Sequence, residues 1–169
     1  MKAIMISIKP KWVEKILNKE KTIEIRKTRP KCKLPCKVYI YCVKQTNMRD
    51  LLVGRNGKVV GEFTLTKIDK YKSNDVIVCG SSYQIPVSDE FETMLKTEEI
   101  EKYGNGKPIY LWHIKGIKDY GNNPKTLSMF LKLCPPLIKC EDCKYRFGLS
   151  TCHNILKRAP QSWCYVEGI

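Results

Sequence analysis

The sequence predicts an α+β fold, a small mixed β-barrel with short flanking helices and a C-terminal zinc-binding loop module. Three observations lead there. About six segments alternate apolar and polar residues with period two. The stretches between them hold only short helical patterns rather than the regular helices of a doubly wound sheet. Five of the nine cysteines, Cys134, Cys140, Cys143, Cys152 and Cys164, crowd the last quarter of the chain. With 169 residues and 43% hydrophobic content, the chain fits one domain, residues 1–169, in which 134–164 form an inserted cysteine-rich segment closed by the last strand.

Lys2 to Ile8 alternates as a strand. Pro10 then stands where a first helical turn tolerates a residue without an N–H, ahead of Trp12, Val13, Ile16 and Leu17 on one helical face. Glu20 to Lys27 is the next strand, with Ile23 and Ile25 on one side and Thr22, Glu24 and Arg26 on the other. Val38 to Lys44 follows; its Tyr39 and Tyr41 are either packing residues or a stacking surface. Gln45 to Lys58 reads as a loop, and Val59 to Tyr71 as a long strand with Val60, Glu62, Thr64 and Thr66 opposite Phe63 and Leu65. Residues 88–103 form one helix, capped by Ser88 and stopped by Gly104, whose acidic residues make a solvated face. Ile109 to Ile117 alternates again, with Tyr110, Trp112 and Ile114 opposite Leu111, His113 and Lys115, and His113 reads as a structural histidine that can also serve as ligand or base. Pro124 to Leu133 is a short helix or turn, and Gln161 to Val166 is the final strand.

The net charge of +14 is regional. Residues 1–45 carry thirteen Lys/Arg against three Glu, whereas 86–103 carry two Lys against six acids. Such a basic region attracts polyanions, so nucleic acid is the expected partner, with lysine drift from AT-rich codons as the plain alternative. No apolar run approaches the roughly 20 residues that span a bilayer, and Met1 to Ile8 lacks a signal-peptide cleavage site. The expected location is the cytoplasm, with no membrane partner. Thiols there stay reduced, and some serve a metal.

Cys140-Glu141-Asp142-Cys143 is a C-x2-C pair, and Cys152 and Cys164 follow after eight and eleven intervening residues. A tight turn can present two thiolates to one zinc ion, and two more cysteines complete a tetrahedron. Cys140, Cys143, Cys152 and Cys164 are therefore the expected ligands of a structural zinc, with Cys134 or His153 able to replace one of them. A redox C-x-x-C is the rival, without the surrounding βαβ pattern it would have.

On the second strand a hydroxyl, a carboxylate and a guanidinium line up beside Lys21, a row that can bind or react with a polar ligand. A solvated face with a Glu24/Arg26 ion pair is its bland alternative. The order of the pieces, from the initial strand and the Pro10-Lys11-Trp12 helix through Lys21-Thr22-Ile23-Glu24-Ile25-Arg26 and Gly57 to Phe63, to the closing Ala159-Pro160-Gln161-Ser162-Trp163-Cys164-Tyr165-Val166, resembles the ASCH domain of the PUA-like superfamily, bacterial and phage members included. The likeness covers nearly all of 1–125 plus 159–167. It implies a small β-barrel with a cleft floored by the second-strand motif, and recognition of RNA or a modified nucleobase. Lys9, Lys21, Thr22, Glu24, Arg26, Lys27, Arg29 and Trp163 are the expected binding residues, with Tyr41, Trp112 or Trp163 as rings for an unstacked base.

The resemblance also implies a rival function. Some bacterial ASCH members hydrolyse acetylated cytidine nucleosides with a lysine, a threonine and a distant glutamate. Lys21 matches the lysine, but Glu24 stands at the threonine position, so the nucleophile is missing. A hydrolase here would rest on Lys21, Glu24 and Glu62. A non-enzymatic RNA- or nucleobase-binding domain is the leading expectation, a nucleoside amidohydrolase the alternative, and a protein-interaction module using the acidic 88–103 segment the third.

Overall fold

The computed structural model describes residues 2–45, 54–72, 87–132 and 154–168. In chain order these form β1 (Lys2–Ile8), α1 (Pro10–Leu17), β2 (Ile23–Arg26), β3 (Cys36–Cys42), β4 (Val59–Tyr71), α2 (Val87–Thr93), α3 (Thr97–Gly104), β5 (Ile109–Asp119), a 3-10 turn (Leu127–Met129) and β6 (Trp163–Glu167). Among the described residues the strands make one mixed sheet in the order β2-β5-β4-β3-β1-β6. Strand β1 runs parallel to β3 and antiparallel to β6, and β2 runs antiparallel to β5.

The expected α+β class holds, but the expected closed barrel does not. The sheet has two edge strands, β2 and β6, which are not joined to each other. Ahead of β2, the Thr22 N–H donates to the Glu92 carbonyl of α2 at 3.2 Å. On β6, the Glu167 N–H donates to Leu131 at 2.9 Å, and Lys132 bridges Val166. These contacts tie backbone at or beside each edge strand to a neighbouring segment.

The described residues divide into two compact units. The first comprises 1–14, 37–63 and 118–169. Its strand β1 lies between β3 and β6, and Ala3 to Ile8 is buried almost throughout, where alternation alone predicts one buried face. Ser7 is its one polar residue after Lys2, and its hydroxyl donates to the Pro160 carbonyl at 2.6 Å. Ala3, Met5, Tyr39, Tyr41, Val59, Phe130, Leu156 and Val166 pack together. Tyr39 meets Phe130 edge-on, with ring centroids 4.9 Å apart. Tyr39 and Tyr41 are therefore packing residues, and Tyr41 is no stacking platform.

The second unit comprises 15–36 and 64–117. Ile23 and Ile25 of β2 join Ile100, Ile109 and Leu111 in its core, as their alternation requires. The single helix expected over 88–103 is two helices. Met94 takes a left-handed conformation (φ 56°). The Leu95 N–H donates to the Thr93 hydroxyl at 3.2 Å and the Lys96 N–H to the Glu99 carboxylate at 3.0 Å, where a continuous helix would use backbone carbonyls. The stop expected at Gly104 falls one residue later, on left-handed Asn105.

Candidate functional site

Register sets the site. Across the β2–β5 ladder, Glu24 pairs with Trp112 and Arg26 with Tyr110, while Ile23 pairs with His113 and Ile25 with Leu111. The polar residues of β2 thus stand on one face beside two aromatic positions. That face is not solvated: Lys21 is 1%, Glu24 7% and Arg26 9% exposed. Trp112 is fully buried and so is a packing residue rather than a free ring.

Glu24 is held between two cations. The Arg26 Nη2 lies 2.9 Å from its Oε1, and the Lys21 Nζ lies 3.6 Å from its Oε2. The Lys21 ammonium also donates to the Thr93 carbonyl at 2.5 Å. Thr93 ends α2, where helix carbonyls have no partner of their own. Lys21 is therefore a clamp between β2 and α2 as well as a charge. Burial pushes its ammonium pKa down, and the Glu24 carboxylate opposes that shift.

Beside this trio the Thr22 hydroxyl donates to the Glu92 carboxylate at 2.6 Å. Glu92 belongs to the acidic face expected to be solvated, and a separation of 70 positions along the chain conceals the pairing. Tyr103, on α3, is a second residue the sequence did not reveal. Its ring is 38% exposed and has the Lys27 ammonium 5.1 Å from its centre. Its phenol feels both Arg26 and Glu24, although burial is the larger influence and raises its pKa. Lys27 and Arg29 are exposed, as cations that meet a polyanion should be.

Lys9, Glu62 and Trp163 belong to the first compact unit. Glu62, the expected distant glutamate, accepts from Tyr120 at 2.7 Å and pairs with Lys37 at 3.3 Å. Trp163 is half-buried and packs edge-on against Tyr165. Cys134, Cys140, Cys143, Cys152 and His153 lie outside the described residues. Cys164 is half-buried on β6 opposite Met5, and burial raises its thiol pKa.

His113 has a carboxylate partner, its Nε2 lying 2.7 Å from Asp69 Oδ2. Asp69, Asp89 and His113 each place a donor atom within 4.8 Å of the other two, a spacing one divalent ion can bridge. Lys67 already brings a positive charge to Asp69 at 2.7 Å.

No family model and no curated protein matches the chain. Its structure is similar to the crystal structure of ASCH from Zymomonas mobilis, with a TM-score of 0.58 and 17% identity over 98% of this chain and 87% of that one. The fold is ASCH-like. Two single-residue variants of the Zymomonas mobilis protein match with the same TM-score at 16% identity, over 98% of this chain and 90% or 88% of theirs. Among the described residues, no helix is long and apolar enough to cross a membrane.

Proposed function

We propose that the polar face of β2 captures RNA, or a nucleobase within it. The observation that supports this most is the pre-formed Glu24 carboxylate held by Arg26 and Lys21 on a face edged by Tyr103, with exposed Lys27 and Arg29 alongside. Glu24 accepts from an exocyclic amine, Arg26 meets a carbonyl or phosphate oxygen, and Tyr103 stacks on a base that has left its helix. Lys21 acts from behind, because its ammonium is committed to Thr93 and Glu24. Lys27 and Arg29 supply the screened, sequence-independent attraction.

Fluorescence anisotropy with single-stranded RNA tests this. Affinity should fall steeply as salt rises, and Tyr103→Ala should weaken binding by about 1–3 kcal/mol per stacked base. No binding to any RNA, or affinity indifferent to salt, defeats the proposal.

A second reading, a nucleoside amidohydrolase, is favoured by one contact. The Thr22 hydroxyl on the Glu92 carboxylate, next to a lysine whose pKa is lowered, has the form of a nucleophile with its base. Glu92, in place of Glu62, would be the distant glutamate, and Thr22 would replace the threonine lost at Glu24. Chromatography after incubation with acetylated cytidine separates the two functions: product formed by wild type and lost in Thr22→Val establishes turnover, and no product leaves binding alone.

For the cysteine-rich segment we propose a structural zinc held by Cys140, Cys143, Cys152 and Cys164. The C-x2-C spacing and two following cysteines support it. Elemental analysis should find one zinc per chain. Cys140→Ser should lose it, and a metal-free wild type defeats the proposal.

A further inference from the structure

Cys32 and Cys36 stand in the segment that joins β2 to β3, with Cys36 the first residue of β3. Both are free thiols and both are half-buried. Their sulfurs are 3.0 Å apart, about 1 Å longer than the roughly 2.05 Å of a disulfide. Cys42 and Cys164, by contrast, lie within β3 and β6 as strand residues. The spacing, one cysteine four residues before the other in a non-helical run, closes a short ring and needs no distant segment to move.

We propose that Cys32 and Cys36 are a paired modification site that a hydroperoxide oxidises to an intrachain disulfide. The thiolate of one cysteine attacks the peroxide, breaking the O–O bond. An alcohol, or water from hydrogen peroxide, leaves, and the sulfur becomes a sulfenic acid. The second thiol attacks that sulfur, the S–O bond breaks, and water leaves as the S–S bond forms. The two sulfurs together lose two electrons and two protons, and the peroxide takes up both electrons.

The surroundings determine how the pair behaves. Burial and the Cys32 thiol together push Cys36 up to about 12, so Cys36 stays protonated at neutral pH and oxidation quickens as pH rises. The flanking residues are cationic, with Arg29, Lys31, Lys33 and Lys37 all within a few positions. A closed ring at 32–36 would restrict the segment that carries exposed Arg29 out of β2. The inference stands apart from the ligand proposed for β2.

Reduced full-length protein treated with hydrogen peroxide, then alkylated and mapped by mass spectrometry, tests it. The peptide containing both residues should be two hydrogens lighter, with Cys32 and Cys36 unalkylated together, and dithiothreitol should return both to the labelled pool. Neither Cys32→Ser nor Cys36→Ser should give the lighter peptide, and the remaining cysteine that peroxide attacks should carry added oxygen, with no second thiol to resolve it. Oxygen addition to the two residues of the wild type without the two-hydrogen loss, or a disulfide from either residue to a different cysteine, overturns the proposal. A thermal melt of each serine variant confirms that the comparison is between folded proteins.

Discussion

Glu24→Gln is expected to destabilise the protein by about 3–5 kcal/mol, the cost of leaving a buried charge without its partner. The substitution keeps size and shape but removes the carboxylate that pairs with both Arg26 and Lys21. Both cations are largely withdrawn from water, with Lys21 1% and Arg26 9% exposed. Against a typical total of about 5–15 kcal/mol this is a large fraction. Urea denaturation monitored by circular dichroism measures it. A loss within about 0.5 kcal/mol, the range of ordinary surface changes, would show that water reaches the trio. Lys21→Met should cost less, because Glu24 keeps Arg26. Replacing all three with apolar residues should cost less than Glu24→Gln alone, because a buried ion cluster stabilises little over a well-packed apolar one. The three effects are therefore not additive.

Phe130→Ala should cost about 3–5 kcal/mol through lost burial and the cavity left behind. For a chain of this size that corresponds to a fall of about 6–20 °C in melting temperature. Phe130 is fully buried in the first unit, and its ring meets Tyr39 edge-on. Its backbone is committed as well, with its N–H donating to Leu127 and its carbonyl accepting from Leu156. Phe91→Ala is the matched control, because Phe91 is 87% exposed and its loss should move stability by no more than about 0.5 kcal/mol. Differential scanning calorimetry of the two variants decides whether the core is centred where Phe130 lies. Equal melting temperatures would refute it.

Much of the fold was legible because strand periodicity is local. Lys2–Ile8 and Val59–Tyr71 form the strands their alternation predicts, with the bounds it predicts. Ile23 and Ile25 face the core for the same reason. The acidic stretch after residue 87 was misread because helix propensity does not report a break supplied by side chains. Thr93 and Glu99 take the N–H groups of Leu95 and Lys96 and so interrupt the helical ladder. Barrel closure was misread because alternation says that a strand has two faces and nothing about what lies at its edge. Backbone of Glu92 meets the residue ahead of β2, and backbone of Leu131 meets β6.

The candidate site divides along the same line. Lys21, Thr22, Glu24 and Arg26 were recognisable as a committed row because their spacing on one strand is written in consecutive residues. That the row is buried, that Lys21 clamps the end of α2, that Thr22 meets Glu92 and that Tyr103 is the ring beside Arg26 are all long-range facts. Glu62 and Glu92 look alike in the sequence, each an acid far from Lys21, and only packing distinguishes the one bound to Tyr120 from the one bound to Thr22. Periodicity and residue chemistry depend on neighbours along the chain, so one strand sufficed to reveal them. Burial and pairing depend on which distant segment arrives to exclude water, and that is a property of the assembled sheet and its helices.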